Sequence, residues 1–248
     1  MAKLRIQGDS SGYVDLEAPN AASSRTIDLD QIPLQNTTNT FTQNQLISGG
    51  DAITQEIRSS GNQAHFRMVS DLNNSSWMIS NESNANRLRI MHTDTSTSTN
   101  SFPLYLYEAG YVTMPAQPAF VAKFSGTRSN VRFSPMLFDT VGYNIGNHYN
   151  GNTGIFTAPV AGRYQFNVMT LRQTGGSSYI NLQVAINGVA QNSTYGTVYT
   201  NDFTGEIGIS GSWVVNLAAN DQFAIWYGSS SEITFYATET AMSGILIG

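Results

Sequence analysis

The sequence predicts an all-β protein in which a strand-rich N-terminal region precedes an antiparallel β-sandwich. Three observations carry that expectation. Only 12% of the 248 residues are charged, and 27 Ser, 24 Thr and 23 Asn take their place; such residues compete for backbone hydrogen bonds inside helices but suit strands and turns. Apolar side chains recur with period two in almost every apolar stretch, which sets alternate residues on opposite faces of a sheet. Clusters of Gly, Asn, Ser and Pro separate these stretches, as turns require.

The first 30 residues contain three short alternating strands, Leu4 to Gln7, Tyr13 to Glu17 and Thr26 to Leu29, divided by Gly8-Asp9-Ser10-Ser11-Gly12 and Ala18-Pro19. They are too few for a core of their own, so residues 1–30 are expected to need a partner chain. A polar linker of 31–50 follows, within a β-rich region of 31–115. Strand-like pieces there run Ile53 to Arg58, His65 to Val69, Trp77 to Ser80, Arg87 to His92 and Leu104 to Met114. Pro115-Ala116-Gln117-Pro118 ends this region, since two prolines so close disfavour both helix and sheet ladder. In 118–248, Tyr164, Phe166 and Val168 share one face. So do Ile180, Leu182, Val184 and Ile186, then Trp213, Val215 and Leu217, then Phe223, Ile225 and Tyr227. Paired strands of this pattern make an antiparallel sandwich.

The composition also removes whole classes of function. A net charge of −5, with only two lysines and arginines scattered singly apart from Arg87 and Arg89, offers no basic stripe for nucleic acid. The absence of cysteine excludes a disulfide scaffold, a thiol nucleophile and thiolate metal sites. The N-terminus lacks the apolar stretch of a signal peptide, and no run approaches the roughly 20 apolar residues that span a bilayer. A soluble product made in the cytoplasm, with no membrane insertion, is therefore expected.

The Gly8 to Pro19 run with Thr26-Ile27-Asp28-Leu29 resembles the N-terminal module of bacteriophage structural proteins. Asn39-Thr40-Phe41 and the order Trp77-Met78-Ile79, Leu88-Arg89-Ile90, Leu104-Tyr105-Leu106, Gly110-Tyr111-Val112 are similar to segments of phage fibres and their shafts. In 118–248, Ala119-Phe120, Phe138-Asp139-Thr140-Val141 and Thr153-Gly154-Ile155-Phe156-Thr157-Ala158-Pro159 with Gly162, Tyr164 and Phe166 resemble the globular head of complement component 1q. Asn187-Gly188, Asn220-Asp221-Gln222-Phe223 and Ser243-Gly244-Ile245-Leu246-Ile247 complete that pattern. Asn220 stands where such heads usually have Gly, and Ile245 where they usually have Phe. The resemblance implies a tumour-necrosis-factor-like jelly roll that assembles as a homotrimer and binds partners through its loops without catalysis. A phage-like shaft of 31–115 behind a virion-attachment module of 1–30 and ahead of such a head resembles a tail fibre or receptor-binding protein.

Catalytic motifs are sparse. Gly-x-Ser-x-Gly, phosphate-cradling glycine loops and His-Glu-x-x-His are all absent. His65, His92 and His148 stand far apart, and Asp202 and Glu206 are more readily solvated loop charges than an acid/base pair for glycan cleavage. The oxygen-rich loops Asn144 to Asn152 and Asn201-Asp202 carry a single carboxylate between them, so the expectation is no cofactor and at most a weak calcium site.

The expected protein is a homotrimeric, non-enzymatic phage tail fibre that recognises a host surface glycan or outer-membrane receptor. A tail or baseplate protein would hold its N-terminus, and the assembled fibre would reside in the virion. A purely structural virion fibre or decoration protein and a polysaccharide depolymerase are the alternatives. Counting strand reversals back from Gly248 expects a free end formed by the loops around 143–152, 173–178, 200–205 and 228–232, with His148, Tyr149, Ser177, Asp202, Phe203 and Ser230 contacting the receptor. Met169, Leu171 and Trp226, apolar yet on the outer phase of their strands, are expected in the trimer interface.

Overall fold

The computed structural model describes residues 3–7, 13–17, 63–70, 75–94, 96–97, 99–130, 132–173, 179–201, 204–229 and 232–248. The chain divides into two compact units, Met1–Glu56 and Ile57–Gly248. In the first, β1 (Lys3–Gln7) and β2 (Tyr13–Glu17) form an antiparallel hairpin with Lys3 opposite Glu17 and Gln7 opposite Tyr13. The expected strands at Thr26 to Leu29 and Ile53 to Arg58, and the 31–50 linker, lie outside the described residues.

The second unit opens with an antiparallel five-stranded sheet of β3 (Gln63–Ser70), β4 (Ser75–Glu82), β5 (Arg87–Asp94), β6 (Thr99–Tyr107) and β7 (Val112–Thr113), paired in chain order. Asn86 closes the β4–β5 turn at φ 49°, a left-handed conformation that Asn tolerates better than most residues. The stretch expected as one strand, Leu104 to Met114, is two. Tyr107 N–H donates to Tyr111 O (2.8 Å) and Gly110 N–H to Tyr107 O (2.9 Å), and Gly110 takes φ 86°, so the chain reverses there.

This sheet has an unusual distribution of polarity. On one face Glu82 accepts hydrogen bonds from Arg87 Nε (2.6 Å) and Arg89 Nη1 (2.9 Å), while Arg87 lies over the Tyr105 ring (4.1 Å) and Arg89 over Phe102 (5.4 Å). Ser76 and Ser80 are buried on that same face. Met91 is buried there as well. The opposite face carries Phe66, Met68, Trp77, Ile79, Leu88 and Leu106, all of them exposed.

Residues 119–246 form two sheets packed face to face. One contains β8 (Ala119–Lys123), β9 (Arg128–Asn130), β10 (Thr140–Ile145), β13 (Gly162–Arg172), β17 (Ile207–Leu217), β19 (Ile233–Phe235) and β20 (Ala241–Leu246). The other contains β11 (Tyr149–Asn150), β12 (Ile155–Thr157), β14 (Asn181–Ile186), β15 (Val189–Ala190), β16 (Thr197–Tyr199) and β18 (Gln222–Gly228), with a single helical turn, α1 (Asn192–Tyr195), between β15 and β16. Every pairing is antiparallel. The inward faces are those the alternation picked: Tyr164, Phe166 and Val168 from β13, Leu182 and Val184 from β14, Trp213, Val215 and Leu217 from β17, and Phe223, Ile225 and Tyr227 from β18. Phe166 stacks on Phe223 across the sandwich with centroids 3.6 Å apart. Gly244 leaves the room this needs, because a Cβ there would come within 2.5 Å of Phe120 and 2.7 Å of Phe166.

Three local features refine the sequence reading. Gly162, after Pro159, serves by lacking a side chain, since a Cβ there would press on Leu246 Cδ1 at 2.9 Å. Asn220 takes φ 70° in the Ala218 to Asp221 turn, which explains why Asn can stand in a glycine's place. Ile245 lies on the outer face of β20 and is exposed, so its departure from Phe leaves the core untouched.

Candidate functional site

The two ends of the sandwich follow from the register. Ala119 pairs with Ile145 and Ile245, and Leu246 N–H donates to Pro118 O (3.0 Å), so the domain begins and finishes at one pole. Arg172, opposite Ile207 and Phe235, marks the other pole. The strand ends Arg172, Tyr199, Ile207 and Gly228 lie toward that free pole. The 143–152 connection does not. β10 runs down to Ile145 beside Ala119, and the turn at Gly146 and Asn147 delivers His148 to the terminal pole, where it lines a cavity with Pro118, Pro159 and Gly248.

Tyr149 is corrected on a second ground. It is 4% exposed, stacks on Phe120 with centroids 4.4 Å apart, and donates its hydroxyl to Phe138 O (3.1 Å). Burial pushes its phenol pKa up, a backbone bond to Phe138 opposing and the Asp139 charge adding. It is a core residue, and neither His148 nor Tyr149 faces a ligand at the free pole. Ser177, Asp202, Phe203 and Ser230 lie outside the described residues.

The free pole does assemble other side chains. Tyr179 and Tyr199 lie with ring centroids 5.3 Å apart, and Tyr199 is exposed. Ile180 N–H donates to Thr200 Oγ1 (3.1 Å), Thr200 N–H to Ile180 O (2.9 Å) and Ser229 Oγ to Tyr179 O (2.7 Å), so three connections are pinned together. On the other sheet Tyr236 donates its hydroxyl to Glu206 Oε1 (2.7 Å), and that bond raises the Tyr236 pKa. These tyrosines and Glu206 border the Gly, Ser and Asn-rich turns; aromatic residues flanking such turns were the signal available in the sequence.

Beside this pole, β9 and the 134–137 segment enclose a cleft of about 590 Å³, lined by Gly126, Thr127, Arg128, Ser129, Ser134, Pro135 and Leu137. Its wall is held by Asp139, which accepts hydrogen bonds from Ser125 N–H (2.8 Å), Ser125 Oγ (2.7 Å) and Arg128 Nη2 (2.6 Å). Burial opposes ionisation of Asp139, but the bonds from Ser125 and Arg128 outweigh it and hold its pKa at about 2. A carboxyl held below its unfolded value stabilises the fold above about pH 4, and the contribution drains away as pH falls toward 2. Asp139→Asn is therefore expected to cost about 1–2 kcal/mol at pH 7 and progressively less between pH 4 and pH 2. Thermal melts of both proteins across that range check this; a gap that persists undiminished at pH 2 contradicts it.

Met169 and Leu171 face outward from β13, and Met169 is 54% exposed. Val214 joins them from β17 at 53%, with Tyr143, Ile145 and Ile245 also exposed on this sheet. Arg163 and Lys123 are the charged side chains on the outward positions of its paired strands, with Ser210, Ser212, Ser243 and Asn167 between the apolar groups. Trp226 belongs elsewhere. It sits on β18 in the other sheet, outward and partly buried beside the bridge to Pro135, so one flat face cannot hold it together with Met169 and Leu171.

Among the described residues no group of three or more His, Asp and Glu side chains is placed to hold a metal ion, and no helix is long and apolar enough to cross a membrane.

Two packed antiparallel sheets with both termini at one pole define a jelly-roll binding domain. The C1q domain family model matches residues 119–247, and the chain belongs to that family. C1q/TNF-like domains form homotrimers and are generally non-enzymatic binding domains, and no enzymatic family is indicated. Among solved structures, the globular domain of zebrafish complement 1qA protein is similar at 19% identity and TM-score 0.43, over 53% of this chain and 98% of that one. Eiger TNF from S. frugiperda is similar at 11% identity and TM-score 0.40, over 53% and 91%. Murine APRIL is similar at 10% identity and TM-score 0.41, over 53% and 99%. A search of curated proteins returns no match.

Proposed function

We propose that the chain is the subunit of a homotrimeric bacteriophage tail fibre or receptor-binding protein whose C-terminal head binds a host surface glycan. The observation that carries the ligand class is the free pole. Tyr179 and Tyr199 from one sheet, and Tyr236 with Glu206 from the other, offer ring faces for stacking on sugars and groups that hydrogen-bond their hydroxyls. The cleft beside it, where Thr127, Ser129 and Ser134 stand among Pro135, Leu137 and Arg128, has a volume suited to a short saccharide. The phage context rests on the resemblance of residues 8–29 to virion attachment modules and of 77–112 to fibre shafts. Attachment by the N-terminus to a tail or baseplate protein, and residence in the virion, follow from that reading.

Trimerisation is supported by the outer face of the β13 and β17 sheet, where Met169, Val214, Tyr143, Ile145 and Ile245 stand in water in the single chain. Weak sites then suffice, because linked heads raise avidity by roughly 10² to 10⁴.

The test is binding of the full-length chain to glycan arrays and to bacterial cells. Tyr199→Ala with Tyr236→Ala is expected to weaken a single head about tenfold, and trimer binding to cells by about 10² or more. Periodate treatment of the cells should abolish binding and protease treatment should spare it. The reverse sensitivity assigns a protein receptor, release of reducing sugar assigns a depolymerase, and no binding to any cell or glycan favours a purely structural fibre.

A further inference from the structure

The five-stranded sheet β3 to β7 is inverted with respect to ordinary folding. Its polar face is the more covered one over β4 to β6, for Arg87 and Arg89 lie across Tyr105 and Phe102 and share Glu82, with Ser76, Ser80 and Met91 buried beside them, while β3 is exposed on both faces. The register puts Phe66 beside Ile79, Met68 beside Trp77, and Leu88 beside Leu106 on the other face. All six are exposed, Met68 at 51% and Trp77 at 44%. Scattered exposed apolar residues are normal, but a contiguous face of them in a sheet without a second layer marks an interaction surface.

We propose that this face is buried against the same face of two further copies of the chain, making a three-sided prism with an apolar interior and the Arg–Glu–aromatic face outside. The proposal rests on the reading that the chain is a trimer. Two observations single out another copy as the occupant. The centre of the face carries no charged side chain, with only His92 and Asp94 toward one end, so it offers nothing to select a charged peptide or membrane surface and everything to match itself. And β7 ends at Thr113 while the sandwich starts at Ala119, so the intervening residues 114–118 span at most about 18 Å. Heads joined about a common axis therefore hold their sheets together at an effective concentration in the millimolar range.

The chain has no cysteine, so a single introduced thiol reports its own neighbours. Ile79→Cys and Leu88→Cys lie on the apolar face, and Val69→Cys, also exposed, lies on the polar one. In full-length protein under mild oxidant, with the mass of each sample read by light scattering, Ile79→Cys and Leu88→Cys are expected to form covalent dimers at least tenfold faster than Val69→Cys. A trimer in which all three variants cross-link at one rate, or none does, overturns the prism and leaves the head-based trimer standing. A monomeric mass overturns both. Preferential cross-linking from Val69→Cys would show that the polar face is the one turned inward.

Discussion

Replacing Met169 and Val214 together with aspartate is expected to raise the concentration at which the trimer dissociates by at least about 10³-fold. Both side chains stand on the outer face of neighbouring strands, at 54% and 53% exposure, within an apolar sheet surface that includes Tyr143, Ile145 and Ile245. Trimerisation would bring two new carboxylates per chain into that surface. Taking an unpaired charge out of water costs several kcal/mol even after relaxation, and the carboxylates of neighbouring copies repel one another besides. About 4 kcal/mol is already the factor of 10³. Cell binding should fall in parallel, because the avidity of linked heads is lost. Mass photometry across a dilution series reads the first effect directly. Trp226→Asp, on the other sheet, should leave the dissociation concentration unchanged; if it dissociates the trimer while the Met169 and Val214 pair does not, the interface lies on the other side of the sandwich.

Phe166→Ala should cost about 3–5 kcal/mol, since a fully buried aromatic side chain is lost along with the contacts around the space it leaves. Phe166 is central to the core. It stacks on Phe223 at 3.6 Å and meets Phe156 at 5.4 Å, Tyr164 at 6.3 Å and Phe120 at 6.4 Å between centroids. Neighbouring backbone cannot readily collapse into the vacated space, because β13 is held on one edge by β17 and on the other by β20. For a domain of this size the melting temperature should fall by roughly 10–20 °C. Val189→Ala, exposed on β15 of the other sheet, should cost less than about 1 kcal/mol. Calorimetry of the two variants separates them; equal losses would mean that the outer face is as tightly packed as the inner.

The legible part of the fold was local. Period-two alternation assigned the inner and outer phases of β13, β14, β17 and β18, because a strand's side chains must alternate whatever it pairs with. The lack of strand at Pro115 to Pro118 and the reversal between β1 and β2 were equally readable, since each depends on the backbone preferences of a few adjacent residues. Alternation names two phases but not which lies against what. Met169 and Trp226 share the outer phase, and only pairing of β13 with β20 and of β14 with β18 set them on opposite sheets. In the β3 to β7 sheet the same ambiguity hid which face was covered.

The pole assignment failed at His148 and Tyr149 for a related reason. β11 is two residues long, too short to carry a periodic signal, yet it adds a reversal and a crossing between sheets, which turned the 143–152 connection toward the termini. The Tyr179, Tyr199, Tyr236 and Glu206 pole and the Arg128 cleft come from strands far apart in the chain, such as β9 on β19 and β19 on β13. Thus the sequence by itself determined the all-β class, the turns and the two phases of each long strand, all of them short-range consequences of backbone geometry. The tertiary structure alone decided which outer phases share a sheet, which face of the β3 to β7 sheet is the more covered, and which residues can meet a ligand, because pairing between distant strands depends on the whole core packing at once.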